Sequence, residues 1–430
     1  MSRSSERSRT LWERLRELTP MQVGAVLAVL IVAFSPNYGI QKLGPSPAVP
    51  AFLLALLGLW LVWRERMALF SVPAVRHWLV IFVLLFVPIL VSVPGSLKAG
   101  TSAAIAAVLP LYFFAGLALL RVLSDDDRRR RVGRWIAVIV LFWAIDGGIQ
   151  YLFGVDLFGV SVGPQNRVIG PFEGNVRLPV LLVLLSPLVV WALTARGATL
   201  AWAGFLLLGL VAMLNGSRTI LPWLVLVTAG LVVRLPRNRG MWVALTVMVV
   251  GAGAVIALSP ALQGKLALFG KLGALDFTSI DRVLSFRLTI WDTALNMVQD
   301  RPLTGVGAGA FANAYAQYST RPDDFFLVNS ISPYHAHNLY VALAAETGLP
   351  GLLALCVIVG LGIRWYLRAP ADRRNHAWPF ALALLVYAFP VNSQPVLFTH
   401  WMFPVVVLLL CGMLAALDTQ PARSAPAVRV

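Results

Sequence analysis

The feature of this sequence that most constrains its fold is a series of long apolar runs, most of them about 16 to 22 residues in length. A helix that rises 1.5 Å per residue needs about 20 residues to cross a hydrocarbon core of ~30 Å. Inside a bilayer, only helices and closed barrels satisfy their own backbone hydrogen bonds. With 59% hydrophobic residues, no soluble domain of this size is expected. The runs therefore predict an all-α integral membrane protein.

Charges and turn residues divide the apolar runs into about 12 predicted transmembrane helices. They cover residues 21–36, 48–63, 78–94, 101–120, 135–153, 178–195, 198–214, 218–233, 241–258, 338–363, 377–391 and 399–417. The predicted organisation is a polar segment 1–20, helices 1–9 over 21–258, a long loop 259–336, helices 10–12 over 337–418 and a tail 419–430. No cleavage site follows the basic N-terminal segment, so we expect the first span to be retained.

The distribution of Lys and Arg predicts the orientation, because cytoplasmic loops retain positive charge. If the N-terminus is cytoplasmic, the segments on that side hold 24 of the 35 basic residues. Six of the other eleven lie in the single long loop. Both termini are therefore predicted to be cytoplasmic, with the long loop on the outer face.

The net charge of +16 does not indicate a nucleic-acid partner, because the basic residues lie in short loops between spans rather than on a soluble face. The long loop is itself neutral, so any anion there must be bound by individual side chains. Cys356 and Cys411 both fall within apolar runs and offer the loop no disulfide framework.

Within the long loop, Phe286, Ile290, Ala294 and Met297 recur at helical spacing. Pro302 and the glycines after it end the run. The pattern predicts an amphipathic helix that lies on the membrane surface.

The stretch Tyr334-His335-Ala336-His337-Asn338 opens the tenth predicted span. A histidine at this boundary has a pKa suited to proton transfer, although a capping or hydrogen-bonding role is the alternative. Two histidines at i and i+2 diverge on a helix, and no carboxylate-rich pattern accompanies them, which disfavours a metal site. Glu346 would lie on the opposite helix face, about 13.5 Å deeper, too far to orient His337.

Several arginines at the outer surface favour a phosphate-bearing substrate, since guanidinium presents a bidentate fork. Arg218 follows a very short turn, where snorkelling is the alternative. Arg287 begins the loop helix, where a bound anion would satisfy both its charge and the free amides; an ion pair with Asp281 or Asp292 is the alternative. Arg167 and Arg177 flank a further outer loop. Asp146 is expected to pair with a polar neighbour.

Three blocks of residues resemble the O-antigen ligase and O-antigen polymerase superfamily of bacterial envelope glycan assembly. The first comprises Arg287, Trp291 and the run Asp300 to Phe311, which contains Pro302-Leu303-Thr304-Gly305-Val306-Gly307. The second is His337-Asn338 followed, after nine residues, by Gly348-Leu349-Pro350-Gly351. The third runs from Arg167 to Asn175, where Val176 replaces the usual proline.

The resemblance implies a GT-C-like membrane glycosyltransferase with a large helical periplasmic loop in the bacterial inner membrane. It implies transfer of a glycan from undecaprenyl diphosphate to lipid A–core on the periplasmic face, with no metal or cofactor and with membrane lipids as surroundings. The spacing of the second block favours the ligase. An O-antigen polymerase and a protein O-oligosaccharyltransferase remain alternatives, as does a lipid-linked glycan transporter.

The resemblance implies catalytic roles for His337, Arg287 and Arg218. We expect substrate contacts from seven further residues. These are Arg167, Arg177, Arg282, Arg321, Tyr334, His335 and Asn338.

Overall fold

The computed structural model describes residues 19–36, 46–163, 166–172, 177–217, 220–258, 277–321, 325–326, 330–390 and 397–418. Regular structure in these ranges is helical. Apart from the helices, the same ranges contain two isolated antiparallel bridges, Val155 to Ser161 and Gly163 to Arg167.

Twelve longer helices correspond one to one with the predicted spans. They are α1 Pro20–Ala33, α2 Ala48–Glu65, α3 Pro73–Ser92, α4 Ala99–Leu123, α5 Asp126–Phe153, α6 Arg177–Thr194, α7 Ala198–Leu214, α8 Leu221–Arg234, α9 Arg239–Leu258, α13 Leu339–Arg368, α14 Ala371–Tyr387 and α15 Phe403–Asp418. Among the described residues between α9 and α13 are the shorter helices α10 Phe277–Val283, α11 Arg287–Asp300 and α12 Phe311–Tyr318.

Six of these helices, α2, α3, α4, α5, α6 and α13, are long and apolar enough to cross a membrane. The others, α1, α7, α8, α9 and α15, are apolar but shorter over their described residues, and α14 begins with the charged residues Asp372 and Arg373. The all-helical fold with six candidate spans is thus consistent with the predicted membrane protein, whereas the full set of twelve crossings stays a prediction.

Local sequence explains where several helices begin and end. Thr19 and Gln22 form a capping box at the start of α1. Asp125 caps α5 by accepting a hydrogen bond from the Arg128 amide, and Gly154, with φ 80°, ends the same helix. These caps satisfy amides and carbonyls that a helix end leaves without partners.

The main core forms around α6, most of whose side chains are buried. This helix packs against α5, α7, α8 and α14, while α4 packs against α2 and α15. By contrast, α13 packs mainly on α3 and α11 and has little contact with α14. We call the end of the bundle where α10–α12 meet the start of α13 the loop end.

The helix α13 is broken at Gly348, whose φ of 71° is not helical. In a regular helix, the carbonyls of Ala345 and Glu346 would accept from the amides four residues later, at positions 349 and 350. The Leu349 amide donates to Pro302 O at 2.8 Å instead, and Pro350 has no N–H, so both carbonyls lose their helical donors. The amides of Val306 and Gly307 replace those donors at 2.9 and 3.0 Å. The run 302–307 and the run 345–349 are therefore two halves of one backbone joint.

Two close approaches explain glycines in this joint. A Cβ on Gly348 would lie 2.6 Å from the Pro302 carbonyl oxygen, and one on Gly305 would lie 2.4 Å from the backbone of Glu346. Both residues also have positive φ. We call residues 302–307, together with their partners 345–349, the α13 joint.

The joint and the residue after it are also bonded to the start of α4 and to the connection that precedes α4. The Leu97 amide donates to Val306 O at 2.9 Å, and the Ser102 hydroxyl donates to Ala308 O at 2.7 Å. The Glu346 carboxylate accepts hydrogen bonds from the amides of Gly309 and Phe311 at the start of α12. These bonds hold the loop helices firmly on the membrane helices.

The predicted loop helix is present as α11, but its apolar face lies elsewhere than expected. Ile290, Ala294 and Met297 are fully buried in a second core that includes Phe311 and Ala345. The apolar stripe thus packs on α12 and α13 rather than on the membrane surface. The periodicity predicted the apolar stripe of α11 correctly, but it could not show which surface packs against that stripe.

The α13 joint yields a stability prediction. Gly348→Ala forces a side chain into a positive-φ position against the Pro302 carbonyl, so it should destabilise the fold by about 1–3 kcal/mol. Gly360→Ala is the matched control, because Gly360 lies in the same helix with nothing within 4 Å of its added Cβ. Melting of the purified variants in detergent should show a lower midpoint for Gly348→Ala only. Equal midpoints would contradict the joint's structural role.

Candidate functional site

His335, Ala336 and His337, which we call the histidine corner, turn the chain into α13. His337 adopts φ 52°, a left-handed conformation that costs a non-glycine residue about 1–3 kcal/mol. Its amide donates to His335 Nδ1 at 3.0 Å, and the two rings lie 4.3 Å apart between centroids. The corner is thus a tight turn closed by a side chain.

The electrostatic state of His335 follows from its surroundings. Burial, and then the neighbouring His337, lower the pKa of His335 to about 3. His335 is therefore neutral near pH 7, with Nδ1 as an acceptor and the ring proton on Nε2. A weakly basic, engaged imidazole is poorly suited to proton abstraction, which leaves His337 as the candidate base of the pair.

Asn338, expected to contact substrate, instead fixes the start of α13. Its Oδ1 accepts from the amides of Tyr340 and Val341 at 3.0 and 3.2 Å, as an N-cap does. Its Nδ2 donates to Pro390 O at 2.8 Å, and the Tyr340 hydroxyl donates to Ala388 O at 2.6 Å. The end of α14 is therefore tied to the residue that follows the histidine corner.

The side-chain carboxylate of Asp281 already occupies the N-terminus of α11. Asp281 Oδ1 accepts from the Leu288 amide at 2.7 Å, and Asp281 Oδ2 accepts from the Thr289 hydroxyl at 2.7 Å. We expected a bound substrate anion to satisfy these amides together with Arg287. That expectation is wrong for the amides, because a carboxylate from α10 fills the position.

Trp291 connects α11 to the histidine corner. Its Nε1 donates to Ala336 O at 2.9 Å. Arg287 lies four residues before Trp291 and so shares its face of α11. The first and second family blocks therefore meet here, and the helix face that bears Arg287 is turned towards the corner.

An apolar cavity of ≈ 610 Å³ begins beside the histidine corner. It is lined by α3, α8, α13, α14 and α15. Leu339, Ala388 and Leu397 line it at the loop end, while Tyr366 and Leu367 line it at the opposite end. It therefore follows α13 through the bundle, and it separates α13 from α8 and α14.

A cationic group, Arg177, lies against the residues that precede α15. The Arg177 guanidinium lies 4.9 Å from the ring centroid of Trp401, and its charge also acts on His400. Arg177 begins α6, whereas His400 and Trp401 precede α15 and follow the cavity-lining Leu397 by three and four residues. An arginine stacked on an aromatic ring keeps its donors available for an anion.

The other predicted site residues are scattered. Tyr334 is 90% exposed, and Arg321 lies 4.0 Å over the Phe277 ring on α10. Arg167 pairs through its backbone with Gly163. Arg218 and the side chain of Arg282 lie outside the described part of the chain.

Asp146 and Glu346, the two acidic residues within the predicted spans, both serve the structure. Asp146 Oδ1 accepts from the Leu157 amide at 2.9 Å, which fits the polar pairing that we expected. Glu346 binds the start of α12, as described above, and does not orient His337. Within the described residues, no three His, Cys, Asp or Glu side chains are grouped so as to hold a metal ion.

Three residues that make contacts at this site were not assigned those contacts from the sequence. Trp291 was part of a family block but had no assigned role, Asp281 was considered only as an ion-pair partner, and Trp401 was treated as part of a span. An aromatic and histidine pair at the start of an apolar run, as in His400-Trp401, is the signal that could have revealed the third.

Comparison with known proteins bears on this arrangement. A protein-family model described as O-antigen ligase matches residues 203–356, a little more than a third of the chain. The matched segment includes Arg287, Trp291, the histidine corner and both halves of the α13 joint. No curated protein matches the chain. The family match confirms the resemblance to the O-antigen ligase and polymerase superfamily, since residues 203–356 are similar to an O-antigen ligase domain.

Proposed function

We propose that the protein is an O-antigen ligase. It transfers O-antigen polysaccharide from undecaprenyl diphosphate to lipid A–core at the periplasmic face of the inner membrane, a step of lipopolysaccharide biosynthesis. The family match supports the enzyme class. The finer assignment follows from the histidine motif, in which His337-Asn338 precedes Gly348-Leu349-Pro350-Gly351 at the spacing of the ligases.

One observation carries this proposal. The histidine corner stands at the loop end of an apolar cavity that runs between membrane helices, since Leu339 in the cavity wall follows His337 by two residues. A polyprenyl chain requires an apolar channel, and its diphosphate requires cations where that channel ends. Arg177 stacks on Trp401, four residues after Leu397 in the cavity wall, and the Arg287 face of α11 is turned towards the histidine corner.

In the proposed reaction, His337 accepts the proton of an acceptor sugar hydroxyl. The hydroxyl oxygen then attacks the anomeric carbon of the glycan. The bond from that carbon to the diphosphate oxygen breaks, and undecaprenyl diphosphate leaves with the electron pair. Backside attack inverts the anomeric carbon.

Arg287 and Arg218 hold the diphosphate in this scheme and offset the charge that develops as it leaves. Arg177 adds a further contact to the diphosphate, and Arg167, Arg282, Arg321 and Tyr334 form the outer substrate surface. Because arginines neutralise the leaving group, the reaction requires no metal ion.

The proposed orientation places the loop end in the periplasm and both termini in the cytoplasm. At the opposite end, Arg121 pairs with Glu65, Arg234 bonds to Asn375 and Arg373 bonds to the Leu417 carbonyl. That end thus holds arginine-bearing connections, as the positive-inside rule requires for a cytoplasmic face.

A lipid-linked glycan transporter has weaker support. Transport along a path through the membrane relies on intramembrane charges and discontinuous helices. Asp146 and Glu346 both bind backbone amides of connecting segments, and the break in α13 is filled by the run 302–307. These groups are therefore committed to structure.

The base assignment predicts that His337→Ala lowers glycan transfer at least about 100-fold. Lipopolysaccharide gels of a cell that depends on this protein would show uncapped lipid A–core. His376→Ala is the control, since His376 lies at the opposite end of the bundle in α14. Normal capping by a well-inserted His337→Ala protein would remove His337 from the mechanism.

The diphosphate assignment predicts that Arg287→Lys lowers transfer by about 10-fold or more, because charge is kept but the bidentate fork is lost. Arg196→Lys, in an exposed turn at the opposite end, is the matched control. Initial rates with purified lipid-linked donor measure the effect. Wild-type rates for both variants would argue that Arg287 has a structural role only.

The cavity assignment predicts that Gly362→Leu raises KM for the lipid-linked donor severalfold. Gly362 lines the cavity, and its added Cβ would lie 3.8 Å from Met413 Cε, so a leucine would fill part of the channel. Gly360→Leu adds the same side chain on an exposed part of α13. Equal KM values for the two variants would exclude the cavity as the donor channel.

A further inference from the structure

We propose that His335 is a positioning residue, which sets the backbone of His337 through its Nδ1 and does not contact substrate. The inference rests on the proposed function, because it concerns how the proposed base is held. It changes the role that we expected for His335 from the sequence, which was substrate contact.

The hydrogen bond itself defines the role. A side-chain acceptor on residue i that binds the amide of residue i+2 is the geometry of an Asx turn, here made by histidine Nδ1 in place of a carboxamide oxygen. Such a turn stabilises a local backbone conformation without a glycine. It therefore explains how His337 is held at φ 52°.

A second bond fixes the middle of the corner. Trp291 Nε1 donates to Ala336 O, and the His337 amide donates to His335 Nδ1. The backbone of the corner is therefore held at two successive residues, through the Ala336 carbonyl and the His337 amide. Asn338 then begins α13. Both neighbours of His337 are thus fixed, and the direction of its Cα–Cβ bond is fixed with them.

The protonation state of His335 suits this task. Because its pKa is lowered to about 3 by burial and by His337, Nδ1 remains an acceptor at any pH at which the enzyme would be assayed. If Nδ1 were protonated, its N–H would face the N–H of His337, and the hydrogen bond could not form. The same bond makes Nδ1 unavailable to a metal ion, and burial keeps most of the ring from substrate.

The side-chain lengths of asparagine and glutamine provide the test. Asparagine Oδ1 is as many bonds from Cα as histidine Nδ1, so His335→Asn can form the Asx turn, whereas glutamine Oε1 is one bond too far. We expect His335→Asn to retain kcat to within about 3-fold, and His335→Gln and His335→Ala to lose about 10- to 100-fold. KM for donor should change little.

Transfer by the purified full-length variants, with lipid-linked glycan and lipid A–core, gives kcat, KM and the pH profile. The His335→Asn profile should overlay that of the wild type, because a neutral positioning group does not titrate in the assay range. Melting midpoints in detergent are measured for every variant, so that loss of fold is separated from loss of positioning.

The proposal is overturned if His335→Ala matches the wild type, if His335→Asn loses as much kcat as His335→Gln, or if the asparagine variant shifts the pH profile. Failure of the proposed function gives a different result. In that case the wild-type protein transfers no glycan to lipid A–core, or His337→Ala transfers it at the wild-type rate.

Discussion

The structure depends on the hydrogen bonds that satisfy two backbone carbonyls at the break in the membrane helix α13. The break at Gly348 and the missing N–H of Pro350 leave the carbonyls of Ala345 and Glu346 without helical donors, and a bilayer supplies none. The amides of Val306 and Gly307 supply them instead. Because each buried carbonyl left without a partner costs about 1–3 kcal/mol, the connecting segment is bound to α13 by necessity.

This joint explains why a connecting segment can carry a site of defined geometry. Once 302–307 is docked, α11 and α12 share a core with α13, and Trp291 reaches the Ala336 carbonyl. The histidine corner is then held beside the cavity that begins at Leu339. A residue in the joint is therefore expected to influence the site without contacting it.

The helices were largely predictable, because the length of an apolar run and the placement of arginines are local signals. Packing within the long loop was not. The apolar stripe of α11 has the same pattern whether it covers a membrane or α13. Asp281 and Asn338 are also polar residues whose partners are backbone amides, and spacing alone cannot distinguish such a cap from a substrate contact. The two glycine-rich blocks were recognised, but their mutual hydrogen bonds join residues that lie 39 to 47 positions apart in the sequence.

The most direct test of the account is reconstitution of the purified protein in liposomes with glycan linked to undecaprenyl diphosphate, with lipid A–core as acceptor and a chelator present. The account predicts that glycan appears on lipid A–core, with inverted anomeric configuration, and that undecaprenyl diphosphate is released in equal amount. Transfer only to a second lipid-linked repeat, or to serine or threonine of an added protein, would contradict the assignment as a ligase. Loss of transfer on chelation would contradict its metal independence.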